Sequence, residues 1–126
     1  MSRDVAPIFA DIDGMNADKF LSHLTPDVRF RFANMDPAIG HAAVKEGVEG
    51  FWTTIDGLTH HILKVHEVGD TVIVQIDVEY RRKDGKSVTV PNCDVLVFDG
   101  DLVRDWQIYI DLAPVFARFS LIQPDS

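Results

Sequence analysis

An α+β fold follows from three features of this sequence. Most of residues 1–57 place apolar side chains at helical spacing, whereas residues 58–111 alternate as strands do. Gly69-Asp70, Asp84-Gly85 and Asp99-Gly100 are tight-turn signals that divide the second region into four strands. No linker, repeat or low-complexity tract interrupts residues 1–126, so a single domain is expected. Helices then pack on one face of a curved antiparallel sheet, and a sheet curled over helices leaves a cone with an open mouth.

The elements follow in order. Val5, Ile8, Phe9 and Ile12 give a short amphipathic helix with Pro7 in its first turn and Gly14 at its end. Asn16 is the expected N-cap of a second helix, Ala17–Leu24. After a break at Thr25-Pro26-Asp27, Val28–Phe32 alternates as a strand. Asn34–Gly40 reads as a loop. A third helix, from His41 to about Ile55, carries an apolar stripe of Val44, Val48, Phe51, Trp52 and Ile55. Four strands follow: Leu58–Val68, Thr71–Arg82, Ser87–Phe98 and Leu102–Asp111. Pro91 inside the third of them predicts a bulge or a position without a ladder bond. Asp111 is expected to cap a final helical turn.

Composition narrows the functions. Hydrophobic residues at 46 % and charged residues at 25 % are a globular balance. A formal net charge of −8 repels phosphate backbones and argues against nucleic acid as a partner. Cys93 is the single cysteine, so neither a disulfide within the chain nor a thiolate metal cluster is expected. It reads as a small strand residue, with a reactive thiol as the alternative. Five histidines without thiolate partners give only a weak metal signal. There is no phosphate loop, Gly-x-Ser-x-Gly elbow, His-Glu-x-x-His pair or dinucleotide fingerprint. No metal and no cofactor are therefore called for. With no secretory signal and no long apolar run, a cytoplasmic location and no membrane association are the expectation.

Particular runs carry a family resemblance. These are Ala17-Asp18 through Leu24, Pro26-Asp27-Val28, Gly40 before His41-Ala42-Ala43-Val44, Gly69-Asp70 with Val72, and Asp84-Gly85. The most telling is Asp99-Gly100-Asp101-Leu102-Val103 through Trp106, Tyr109, Asp111 and Leu112. Together with the element order, they resemble the SnoaL-like branch of the nuclear transport factor 2-like superfamily. That superfamily includes ketosteroid isomerase, limonene-epoxide hydrolase and polyketide cyclases. The resemblance implies a cystatin-like α+β roll, a cone-shaped antiparallel or mixed sheet packed on three N-terminal helices. It is weak for chemistry, because the fold hosts isomerases, hydrolases, cyclases, dehydratases and binders.

The site is expected on the inner wall of the cone. The apolar face of Thr71–Arg82 places Val74, Ile76 and Val78 inward. Both faces of Ser87–Phe98 are apolar enough to be buried, so alternation does not choose between them. The resemblance does: Asp94 falls where ketosteroid isomerases carry an inward aspartic acid, kept neutral by an apolar site so that it donates a hydrogen bond. Trp106, Ile108 and Ile110 then face in, opposite Phe30 and Phe32. An ionised carboxylate in such a wall costs several kcal/mol unless paired, so Asp94 is the first catalytic candidate. Its bland alternative is a carboxylate at a solvated mouth or in a structural ion pair.

His60 and His61 are strand neighbours and must face opposite sides. The resemblance favours His60 as the inward one and as the catalytic partner of Asp94. His61 shares a face with Leu63 and Val65, so both stay candidates. The expected ligand-binding wall comprises Phe30, Phe32, Asn34, Trp52, His61, Val78, Tyr80, Asn92, Leu96, Trp106 and Ile108. Asp4, Asp11 and Asp13 read as a solvated helix face.

Two family activities lack their residues. The position of the isomerase's second carboxylate reads Phe32. The Asp-Arg-Asp region of the epoxide hydrolase reads Ile76-Asp77-Val78, and its last-strand Asp reads Ile108. What remains is an apolar pocket with acid–base chemistry of isomerase, cyclase or dehydratase type on a small hydrophobic carbonyl or hydroxyl compound. The alternatives are a non-catalytic small-molecule binder and a dimeric scaffold. Ile73, Cys93, Val95, Val97 and Tyr109 form an apolar outer face rimmed by Gln75, Asp77, Glu79 and Arg81. A sheet-to-sheet homodimer is expected to cover it, or else the tail from Val115 to Ile122.

Overall fold

The computed structural model describes residues 3–117. Helices α1 (Ala6–Asp13) and α2 (Ala17–Leu21) lead into strand β1 (Leu24–Phe32), a short strand β2 (Ala38–Ile39) and helix α3 (Gly40–Trp52). Strands β3 (Ile55–Val68), β4 (Thr71–Arg82), β5 (Ser87–Asp99) and β6 (Leu102–Ile110) form the meander, and α4 (Ala113–Phe116) follows. The six strands make one curved, unclosed sheet in the order β2-β1-β6-β5-β4-β3. Only the β1–β6 pair is parallel. The fold class is the one expected from the sequence.

Local chemistry explains most boundaries. The Asn16 side chain accepts the Lys19 N–H and caps α2. The helix stops at Leu21 rather than Leu24, because Leu24 pairs with Val103 and begins β1. The Thr25-Pro26-Asp27 break sits inside that strand, where the β1–β6 register shifts. Helix α3 ends at Trp52, three residues before Ile55 opens β3. The expected loop before α3 contains β2, where Ile39 and Ala38 pair with Arg29 and Phe30. Gly40 opens α3 at φ +86°, a conformation that costs a glycine little. Pro91 causes no register shift against β4, and the β6 ladder begins one residue later, at Asn92. Asp111 accepts the Ala113 N–H ahead of α4.

The core lies between the inner sheet face and the helices. Val72, Val74, Ile76, Val78 and Tyr80 of β4 are all buried there with Val90, Leu96 and Phe98 of β5. Trp106 of β6 is fully enclosed, with Phe9, Phe20 and Phe30 edge-on at centroid distances of 5.7, 5.5 and 5.6 Å. Each such pair contributes about 0.5–1.5 kcal/mol beyond its buried area. Helices α1 and α2 thereby clamp β1 and β6 through one indole.

On the outer face, Ile73, Cys93, Val95 and Val97 are half-buried, and Tyr109 is 59 % exposed. None of the five joins the core cluster. Val115, expected as part of an outer cover, instead enters the core, and residues 118–122 lie outside the described residues. No helix among the described residues is long and apolar enough to cross a membrane.

Candidate functional site

The cone encloses a cavity of about 160 Å³ between β1, α3 and the inner faces of β3–β6. An apolar cavity of about 150 Å³ holds a benzene-sized ligand, so this space suits a single small ring. Phe30 and Phe32 of β1, Trp52 of α3, and Trp106 and Ile108 of β6 line it, as expected. Tyr80, Asn92, His60 and Asp94 supply its polar atoms. Met35 and Asp36 are exposed and also line the cavity, which puts them at its rim. Among the described residues no lysine or arginine lines it.

Asp94 faces inward and is 2 % exposed. Register explains its company: on β5 it pairs with Val74 on one side and Ile108 on the other. The Asn92 side-chain amide donates to its Oδ1 at 2.6 Å, and the Trp106 indole Nε1 donates to its Oδ2 at 3.2 Å. Burial pushes its carboxyl up from 3.8 to about 6, against the opposing pull of Asn92, His60 and Trp106. The alternatives of a solvated mouth or an ion pair do not match this burial: among the described residues no cation contacts the carboxylate directly.

His60 is the inward histidine, with its side chain 9 % exposed. Asp94, the catalytic partner the sequence reading assigned to it, is not its hydrogen-bond partner. On β3 it pairs with Val78, four residues along β4 from the Val74 that pairs with Asp94, and β4 lies between the two strands. Its partner is Asp13, at the end of α1. The Nδ1 to Oδ1 distance is 2.5 Å, and the His60 backbone N–H donates to both carboxylate oxygens at 3.1 and 3.0 Å. Asp13 is therefore not part of a solvated helix face, and Asp11 bonds His23 at 2.7 Å. Tyr80 is buried, and its hydroxyl makes no hydrogen bond among the described residues. Burial raises its pKa, with Asp94 and then Asp13 adding to the shift.

Four expected wall residues lie elsewhere. His61 is exposed and meets Glu79 at 3.2 Å on the outer side, because neighbours on a strand alternate. Its supposed face with Val65 is broken by a register shift between Ile62 and Lys64. Val78 and Leu96 point inward but are sealed in the core, outside the cavity lining. Asn34 is exposed in the β1–β2 turn, and Met35 takes the rim position instead. Ala33, with φ +55°, makes that turn. Ile12, Phe20, Val44, Val48, Phe51 and Leu58 also line the cavity, although their spacing marked several of them only as core.

Cys93 is half-buried on the outer face, and burial and then Asp94 push its thiol up, away from the reactive thiolate form. Among the described residues no group of three or more His, Cys, Asp or Glu stands together to hold a metal.

These features define a class: an α+β cone protein with a small apolar cavity and one desolvated carboxyl group in its wall. The chain belongs to the SnoaL-like domain family, whose model matches residues 5–106. Among curated proteins no relative matches. Solved structures share the fold. A putative SnoaL-like polyketide cyclase from Jannaschia sp. CCS1 superposes with a TM-score of 0.81 at 19 % identity, covering 95 % of this chain and 90 % of that one. A ketosteroid isomerase-like protein from Catenulispora acidiphila, in complex with trimethylamine, gives 0.81 at 19 % identity, covering 88 % and 87 %. An epoxide hydrolase from M. tuberculosis, of the limonene-epoxide hydrolase type, gives 0.74 at 15 % identity, covering 89 % and 83 %.

Proposed function

We propose that the cavity carries out acid–base catalysis on a small, neutral, hydrophobic carbonyl or hydroxyl compound, with Asp94 and His60 as the catalytic residues. The observation that carries this reading is the Asp94 carboxyl, buried in an apolar wall with its pKa raised to about 6. A group titrating there exchanges protons near neutral pH. Among the described residues no lysine or arginine lines the wall, so there an anionic substrate would find no full counter-charge.

The reaction is balanced within the site. A substrate C–H next to a carbonyl gives its proton to His60 Nε2. The electron pair moves into the carbonyl, and the Asp94 carboxyl donates to the developing oxyanion. Collapse of the resulting enol by reprotonation, carbon–carbon bond formation or loss of a β-hydroxyl gives isomerisation, cyclisation or dehydration. Polyketide cyclases among the structural relatives fit this class.

Acetophenone, a single-ring ketone, matches the cavity volume and tests the reading. Its methyl protons should exchange with D₂O faster in the presence of the protein than in buffer, as followed by NMR. Binding with exchange at the buffer rate would leave a non-catalytic binding module. That second reading draws on the role of Asp94 as acceptor for the buried Trp106 N–H.

The outer face of β4–β6 is proposed as the contact between two copies, supported by the apolar residues Ile73, Cys93, Val95, Val97 and Tyr109, none of which joins the core among the described residues. A monomer at all micromolar concentrations in sedimentation would remove that proposal.

A further inference from the structure

We infer that Asp13 is the positioning residue of His60: it holds the imidazole proton on Nδ1 and turns the Nε2 lone pair toward the cavity. This rests on the proton-transfer reading above and assigns the base within it. An ionised carboxylate only accepts hydrogen bonds. Its contact with Nδ1 therefore requires an Nδ1–H, and in the neutral ring that leaves Nε2 as the acceptor.

Several contacts fix the ring. Both Asp13 oxygens also accept the His60 backbone N–H, so carboxylate, main chain and ring form one unit. The Phe9 ring packs against the imidazole at 5.1 Å. His60 lines the cavity, Asp13 does not, and Nε2 has no hydrogen-bond partner among the described residues. The carboxylate thus sits behind the ring while the free nitrogen stays on the cavity side. Asp94, Tyr80 and, at the exposed rim, Asp36 are the other titratable groups lining the cavity. His61 makes the contrast: its exposed ring spends Nε2 on Glu79, and its Nδ1 has no hydrogen-bond partner among the described residues.

Two carboxyl groups thereby take two roles. Asp13 stays an acceptor behind the base, and Asp94, desolvated, serves as the acid.

Long-range ¹H–¹⁵N correlation NMR of ¹⁵N-histidine-labelled protein tests the inference, with His60→Gln assigning the signals. At the alkaline end of a pH titration the wild-type His60 ring should show the Nδ1–H form. In Asp13→Ala it should move to the Nε2–H form, and acetophenone exchange should fall roughly ten-fold with the ketone's Kd unchanged. Asp13→Asn keeps an acceptor oxygen and should restore part of both signals. A wild-type ring in the Nε2–H form, or a tautomer unmoved by Asp13→Ala, overturns the assignment. Should Asp13→Ala fail to fold, the wild-type tautomer decides alone. An Nδ1–H ring with exchange at the buffer rate would sink the proton-transfer reading and not the tautomer.

Discussion

The two faces of strand β5 meet different surroundings although their sequences are similarly apolar. Inward, Val90, Asn92, Asp94, Leu96 and Phe98 are all buried. Outward, Cys93, Val95 and Val97 are half-buried and Thr89 and Pro91 exposed. Helices cover one face, and among the described residues no core residue packs on the other. Environment is therefore set by what packs on a face rather than by the composition of the strand. Asp77 on the outer side of β4, where the neighbouring strand places Pro91 opposite, is half-exposed.

The largest test of this contrast is catalytic. Asp94→Asn should lower acetophenone exchange by about 10²–10⁴-fold, measured against wild type by NMR. The fold should survive, because the Asn92 amide can turn its oxygen to the new NH₂ while the remaining Oδ1 still accepts Trp106 Nε1. Unchanged exchange would remove Asp94 from the chemistry.

Core substitution separates the faces by stability. Leu96→Ala on the inner face should cost roughly 2–5 kcal/mol in urea unfolding. Val95→Ala beside it should cost under about 1 kcal/mol in the monomer. Equal costs would show that the outer face is covered as well as the inner one.

A pH series sharpens the comparison further. The folded Asp94 carboxyl holds its proton up to about pH 6, against an ordinary value of 3.8. Its contribution to stability is thus full below about pH 4 and is lost as pH rises through 6. The difference is roughly 3 kcal/mol. Wild type should lose this amount between pH 4 and pH 7 relative to Asp94→Asn, and parallel curves would contradict it. The smallest effect belongs to the outer histidine: His61→Ala should change stability by less than about 1 kcal/mol, since its bond to Glu79 is exposed.

Much of the fold was legible. Alternation in Thr71–Arg82 and the turns at Asp84-Gly85 and Asp99-Gly100 marked the meander because strand period and turn chemistry are local properties. The parallel seating of β1 beside β6 was not marked, since pairings across 70 or more residues leave no local pattern. The inward face of β5 came from family resemblance, and the wall residues Phe30, Phe32, Trp52, Tyr80, Asn92, Trp106 and Ile108 lie where the sequence reading put them. Asp13 was missed. An acid on a short helix looks solvated until the strand carrying His60, 47 residues on, is laid against it. Its signal was its position, directly after the apolar Ile12 that lines the cavity. His61 was misplaced because a register shift near Ile62 breaks the alternation that made its face look apolar.

The central claim is that Asp94 is a desolvated acid in an apolar wall. Carbon-detected NMR titration of the Asp94 carboxyl, assigned with Asp94→Asn, measures it directly. A midpoint at about 6 is predicted. A midpoint at or below the ordinary 3.8 would contradict the account.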